Sequence, residues 1–217
     1  RVGLFYAWHH FAVFAGSSLR ACSKAFVAAC CLVSLGILLT MPLIAIGLGA
    51  GSLALVAAYP FMKRITWWPQ FVLGLAFNWG AIVGYVAASG AMAWPSALLY
   101  AAGIAWTLGY DTIYAHQDKQ DDAIVGVKSS ARYLGRRTRP FLWAAYGLTI
   151  ALLAAAGGAG GLSWPFYLAL LLGAGQLAWQ ARTVDIDDPR DCLRKFRSNR
   201  DFGLIVLAGL ILGHAAG

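Results

Sequence analysis

The sequence has 217 residues, of which 60% are hydrophobic and 12% are charged, and its mean hydropathy is +0.65. A soluble domain carries about 25% charged residues, so the composition excludes an ordinary soluble enzyme. It predicts an all-α, polytopic membrane protein, because in lipid the backbone groups must form their hydrogen bonds within helices. The formal net charge of +8 requires no nucleic acid as a partner, because Lys and Arg collect in the loops on one side of a membrane.

Seven membrane-spanning helices are predicted, because long uncharged stretches alternate with short charged blocks and are divided by turns that contain Gly or Pro. In chain order they cover about residues 25–41, 43–60, 69–88, 94–116, 140–157, 163–181 and 202–217. This order puts every charged block on one membrane face, which the positive-inside rule makes the cytoplasmic or matrix face. Residues 1–217 are interpreted as one transmembrane domain.

Polar residues at the end of the second predicted span and inside the third are candidates for a binding site. Pro60 ends or kinks the helix after Tyr59. Lys63 and Arg64 then emerge at the charged face, where they contact either lipid headgroups or a ligand. Asn78, in the middle of the third span, is either an interhelical hydrogen-bonding residue or a polar group in a pocket wall.

Three aspartates mark the end of the fourth predicted span and the residues just beyond it. On one continuous helix, Asp111, Asp118 and Asp122 fall within about 40° of one another. Asp118 and Asp122 are then one turn apart, within reach of the same divalent cation, and Asp111 lies about 10 Å deeper. Carboxylates at membrane depth are rare and usually functional.

Cations follow these aspartates in the second charged loop, and Lys128 is one of them. Metal-binding carboxylates beside cations favour a diphosphate ligand, because Mg²⁺ prefers a few carboxylates together with phosphate oxygens. The third charged loop, about residues 185–200, alternates in sign. It predicts internal salt bridges and a short helix that starts at Pro189, and this helix either caps the polar mouth of the bundle or connects two spans in solvent.

These motifs resemble the UbiA family of intramembrane aromatic prenyltransferases. The matching stretches are Tyr-Pro-Phe-Met-Lys-Arg at 59–64, Tyr-Asp-Thr-Ile-Tyr-Ala-His-Gln-Asp-Lys-Gln-Asp-Asp at 110–122, Gly-Val-Lys-Ser-Ser-Ala at 126–131 and Asp-Asp-Pro-Arg-Asp-Cys at 187–192. The resemblance implies a nine-helix bundle around a central cavity, with two Asp-rich motifs that bind Mg²⁺ and the donor diphosphate. Here the second motif is Asp111, Asp118 and Asp122, with Asp118 and Asp122 as metal ligands.

Within the family, the stretches are most similar to the branch that acts on 4-hydroxybenzoate in ubiquinone biosynthesis. This similarity implies transfer of a polyprenyl group from polyprenyl diphosphate to the ring of 4-hydroxybenzoate, ortho to its hydroxyl, with Asp111 orienting substrate or accepting a proton. The residues expected to bind substrate or its diphosphate are Tyr59, Lys63, Arg64, Asn78 and Lys128. The candidates for an aromatic pocket around the allylic cation are Phe77, Trp79 and Trp106.

The start of the chain departs from the family. Nothing before residue 111 is acidic, so the first Asp-rich motif has no counterpart, and residues 1–19 look unlike the family. The chain is interpreted as an N-terminally incomplete or diverged member.

Three alternatives stay open: a family enzyme with another acceptor, an inactive fragment, and a non-enzymatic cation-binding membrane protein or transporter. The composition favours a bacterial inner membrane over a mitochondrial one, and the sequence sets no oligomeric state.

Overall fold

The computed structural model describes residues 22–217, and within that range the regular structure is helical with no strand. The atypical residues 1–19 lie outside the described residues. Single 3-10 turns cover Tyr59–Phe61 and Gly135–Arg137. The helices are α1 (Cys22–Leu39), α2 (Leu43–Ala58), α3 (Met62–Ile65), α4 (Pro69–Phe77), α5 (Trp79–Ser89), α6 (Trp94–Ala115), α7 (Lys119–Val125), α8 (Ser130–Leu134), α9 (Thr138–Ala159), α10 (Trp164–Thr183), α11 (Pro189–Arg197) and α12 (Asn199–Ala215).

A helix lies at each position that was predicted to span a membrane, which confirms the all-α class. Four helical segments of the described chain are long and apolar enough to cross a membrane, namely Cys22–Leu39, Leu43–Ile65, Pro69–Ser89 and Ser130–Ala159. The chain is therefore an integral membrane protein, and the count of seven spans stays a prediction.

Proline and glycine set several helix ends. A proline stands in the first turn of α4, α6, α10 and α11. Its lack of an N–H costs no hydrogen bond there, because N–H groups in the first turn have no acceptor within the helix. Gly90 ends α5 in the left-handed conformation, with φ of 78°. The break expected at Pro60 is confirmed, because α2 stops at Ala58 and a 3-10 turn follows.

The third predicted span is divided in two at Asn78. The Asn78 side chain donates from Nδ2 to the carbonyl of Gly74, at 2.9 Å, within the helix it terminates. A side-chain amide that competes for a backbone carbonyl in this way favours helix ends over helix interiors. The chain therefore ends α4 at Phe77 and starts α5 at Trp79.

Helix α6 lies at the centre of the bundle and packs most extensively against α9, with α4, α5, α8 and α11 around it. A close approach requires Gly109 on α6, since an added Cβ there would lie 2.3 Å from Cε1 of Tyr146 on α9. Tyr146 is 3% exposed, and its hydroxyl donates to Oε1 of Gln180 on α10 at 2.8 Å. This packing places the C-terminal end of α6 beside α8 and α11, in a common charged layer.

Candidate functional site

The prediction that Asp111, Asp118 and Asp122 share one continuous helix is wrong. α6 ends before His116, and Asp118 precedes α7 with φ of −97° and ψ of 5°. The reason is a tertiary contact, because His116 is buried and its Nε2 lies 2.9 Å from Oγ1 of Thr138 at the start of α9. This contact holds the residue after α6 against α9, so the chain turns before α7 begins.

Asp122, on α7, is only 6% exposed. Its Oδ1 accepts a hydrogen bond from Nζ of Lys63 at 3.4 Å, and its backbone carbonyl accepts from Nη1 of Arg132 at 3.2 Å. Its Oδ2 is buried without a hydrogen-bond partner in the described part of the chain. An unpartnered buried carboxylate oxygen is unfavourable, so this atom has the capacity to accept a cation.

Lys63 connects Asp122 to the other predicted site residues. Its ammonium interacts electrostatically with Asp111 on α6 and with Tyr59, and Tyr59 also interacts with Asp111. The Lys63 side chain is 45% exposed, so it can reach an anionic ligand while it faces Asp122. The structure therefore brings Tyr59, Lys63, Asp111 and Asp122 together.

Lys128 lies beside this group and makes contacts that support the fold. Its Nζ donates to the carbonyl of Ile65, the last residue of α3, at 3.0 Å, and its N–H donates to the carbonyl of Lys63 at 2.8 Å. A lysine at a helix C-terminus also interacts favourably with the helix dipole. Lys128 thus ties the loop after α7 to the end of α3, whereas Arg64 is exposed.

The predicted metal ligands, Asp118 and Asp122, lie one helical turn apart, and the N–H of Asp122 donates to the carbonyl of Asp118 at 2.7 Å. Among residues 22–217, no group of three or more His, Cys, Asp or Glu side chains could hold a metal ion. Two carboxylates suit Mg²⁺ when phosphate oxygens complete the coordination, and the unpartnered Oδ2 of Asp122 fits such an ion.

Asn78 borders a cavity whose wall does not include the aspartates. Its Nδ2 donates to Oγ1 of Thr107 on α6 at 2.9 Å, and its side chain lines a cavity of about 320 Å³. Both roles expected for Asn78, interhelical hydrogen bonding and pocket lining, are therefore present. The aspartates do not line this cavity, whose largely apolar wall includes Leu99, Ala102, Leu153, Phe202, Val206 and Leu210.

Of the three aromatic candidates, only Trp106 lines this cavity. Phe77 is 75% exposed, and Trp79 donates from Nε1 to the carbonyl of Leu48 at 2.8 Å, which holds it elsewhere. The sequence reasoning missed Tyr110, whose ring packs edge-on against Trp106 with centroids 5.3 Å apart. The available signal was the four-residue spacing of the two rings along one helix.

The third charged loop packs against α6, which is the arrangement expected of a cap on the polar end of the bundle. The helix expected at Pro189 is confirmed as α11, and the ring of Phe196 lies 4.7 Å from that of Tyr114 at the end of α6. A cleft of about 560 Å³ remains between this loop and α7, with Lys119 and Asp187 in its wall.

The expected salt bridging within this loop is also confirmed, because Asp191 pairs with Arg194. Burial raises the pKa of Asp191, but hydrogen bonds from the N–H of Asp185 and from Arg194, with the nearby charge of Lys195, lower it more. The pKa of Asp191 therefore lies below its ordinary value, and the carboxylate stays ionised inside the loop.

Comparison with known sequences matches a model of the UbiA prenyltransferase family to residues 18–209. The mitochondrial 4-hydroxybenzoate polyprenyltransferase of Caenorhabditis elegans is 50% identical over 180 residues, and the Homo sapiens protein of the same name is 49% identical over 187 residues. These alignments cover 82% and 84% of this chain, and 50% and 49% of the relatives. The chain spans about half the length of the curated relatives it matches.

Two solved structures share the fold. A UbiA homolog from Aeropyrum pernix K1 superimposes with a TM-score of 0.72 at 24% identity, covering 87% of this chain and 71% of that one. A structure of digeranylgeranylglyceryl phosphate synthase gives a TM-score of 0.65 at 17% identity, covering 88% and 68%. These likenesses concern the fold alone and agree with the expected bundle.

Proposed function

This chain belongs to the UbiA prenyltransferase family, and from that premise we propose that it transfers a polyprenyl group from polyprenyl diphosphate to 4-hydroxybenzoate in ubiquinone biosynthesis. The observation that carries the proposal is the buried Asp122 with one free oxygen, paired with a half-exposed Lys63. The relatives are named 4-hydroxybenzoate polyprenyltransferases, which favours this acceptor over another ring.

Each side chain has a defined part in this proposal. Asp118 and Asp122 would hold Mg²⁺, which would supply Lewis-acid stabilisation of the departing diphosphate. Lys63 faces the same diphosphate and offsets the negative charge that develops as the C–O bond breaks. Tyr59 and Asp111 lie next to Lys63, and Asp111 orients the acceptor or accepts the proton that its ring loses.

The remaining predicted residues act in support. Lys128 keeps the loop after α7 against α3 through its bond to Ile65, and Arg64 adds positive charge at the same exposed edge. Asn78 and Trp106 line the apolar cavity, where the prenyl group is kept away from water that would capture an allylic cation.

Membrane location follows from the donor, because a polyprenyl tail is soluble in lipid and reaches the site from the bilayer. We place the charged loops on the cytoplasmic face of a bacterial inner membrane or, in line with the mitochondrial names of the relatives, on the matrix face. Lipid is therefore the surrounding partner, and 4-hydroxybenzoate enters from the charged side.

The test uses the complete protein in detergent or nanodiscs with Mg²⁺, polyprenyl diphosphate and 4-hydroxybenzoate, with product detected by mass spectrometry. Asp118→Asn and Asp122→Asn should each lower kcat by about 10²-fold or more, because each removes charge stabilisation of the leaving group. Asp121→Asn is the matched control, since Asp121 is exposed on the same helix and should retain activity within about twofold of wild type, the scale of a surface change.

Two outcomes would contradict the proposal. Prenylated product that persists in Asp122→Asn would remove the metal assignment. Absence of product from the wild-type protein, together with Mg²⁺-dependent ion flux in liposomes, would favour a transporter.

A further inference from the structure

Trp106 is fixed by a hydrogen bond that its position in an apolar cavity does not explain. Its Nε1 donates to Oδ1 of Asn199, at the start of α12, at 2.8 Å. Its ring also packs against Phe202, with centroids 4.9 Å apart, and against Tyr110. Three contacts from two helices therefore determine the orientation of this ring.

Asn199 is oriented just as firmly. It is 6% exposed, and its Nδ2 donates to the carbonyls of Lys195 and Phe196, each at 3.1 Å. Because both of these partners are acceptors, the amide nitrogen must face them. The opposite atom, Oδ1, is then directed at Trp106, and a flipped amide would lose all of these bonds.

A buried polar network holds the site of Asn199 in turn. Oε1 of Gln180 on α10 accepts from the Tyr146 hydroxyl at 2.8 Å, and Nε2 of Gln180 donates to Oγ of Ser198 at 3.1 Å. Nδ2 of Asn199 lies 3.4 Å from the same Oε1. Networks of this kind rigidify the elements they join, so the Trp106 ring is anchored to α9, α10 and α12.

The ring that this network holds also lies beside the proposed reaction site. Tyr110 contacts Trp106 on one side and interacts electrostatically with Asp111 on the other. Gly203 in the cavity wall lies against this ring, because an added Cβ there would be 3.5 Å from Cη2 of Trp106.

We propose that Asn199 is a positioning residue that sets the Trp106 ring as the wall shielding the allylic cation from water. The inference rests on the proposed prenyl transfer. In that reaction the C–O bond of the donor breaks and its electron pair leaves with the diphosphate. The allylic carbon then takes a pair from the acceptor ring, which loses a proton, or from water, which loses a proton and leaves a free prenyl alcohol.

The test measures the ratio of prenyl alcohol to prenylated acceptor, which a purely structural role would not change. Asn199→Leu removes both hydrogen-bonding functions at similar size, and it should raise this ratio about tenfold, the scale of one desolvated cation–π contact. Asn199→Gln keeps both the amide oxygen and the amide nitrogen and should hold the ratio closer to that of wild type than Asn199→Leu does. Trp106→Leu should behave as Asn199→Leu does.

Gln176→Leu is the matched control. Gln176 donates to Ser198 in the same junction and does not line the cavity, so this variant should lose thermal stability while the ratio stays unchanged. An Asn199→Leu protein whose rate falls together with its stability, at an unchanged ratio, would overturn the positioning role.

A second readout separates this proposal from the function itself, because it requires no turnover. Trp106 emission, isolated by subtracting the spectrum of Trp106→Phe, should shift when a non-hydrolysable thiolodiphosphate analogue of the donor is added. The shift should persist in Asn199→Gln and disappear in Asn199→Leu. If Trp106 emission in the wild-type protein does not shift when the analogue is added, the proposal is overturned. A missing transfer product alone would count against the acceptor instead.

Discussion

Substitution of Lys63 by Met tests whether the Lys63–Asp122 pair supports the fold, the reaction or both. The variant keeps the apolar stem and removes only the ammonium, which leaves Asp122, with 8% of its side chain exposed, without its cation. It also removes the positive charge beside Asp111.

The structural effect should be small. At 3.4 Å, two unit charges attract by about 5 kcal/mol at an effective dielectric constant of 20, but Lys63 is nearly half exposed and screening reduces its contribution to about 1 kcal/mol. The melting temperature should then fall by about 2–4 °C. The catalytic effect should be larger, about 10²-fold in kcat/KM, because in the proposed reaction the same charge faces the departing diphosphate.

The assay is a double-mutant cycle of Lys63→Met and Asp122→Asn, with thermal unfolding in detergent and prenyl transfer measured on the same samples. A coupling energy of about 1 kcal/mol in stability is expected for groups in contact, and Lys119→Met, which removes another ammonium of the charged face, serves as the control. Additive stability effects combined with wild-type kcat/KM in Lys63→Met would refute the reasoning.

Three further predictions concern packing, pH and metal. Gly109→Ala should lower the free energy of unfolding by about 1–3 kcal/mol, because the new Cβ meets Tyr146. Gly147 has open space around it, so Gly147→Ala should be neutral or stabilising in the same thermal assay. The pKa of Asp191 is lowered in the folded protein, so its carboxylate stabilises the fold above its unfolded pKa of about 4, and this stabilisation is lost as the pH falls below that value. Asp191→Asn should therefore flatten the plot of stability against pH between about pH 5 and pH 3. A plot that is the same in the variant and the wild type would contradict this. EDTA should abolish prenyl transfer and Mg²⁺ should restore it, and transfer that survives chelation would exclude the proposed metal site.

Several features of the protein follow from the sequence because they depend on local chemistry. Uncharged stretches must be helical in lipid, since the backbone finds no other partners there. Pro60 and Pro189 act on their own helices, so the break after α2 and the start of α11 were both predictable. Family motifs also identified Lys63 and Asp122, which the structure pairs.

Tertiary structure decided the features that depend on contacts between distant residues. The aspartate helix breaks because His116 pairs with Thr138, and helical periodicity carries no information about such a contact. Lys128 contacts the end of α3, far from it in the chain. Trp106 differs from the other aromatic candidates through Asn199, separated by 93 positions. A sequence pattern records which side chains a helix presents, whereas their partners are set only when the helices pack together.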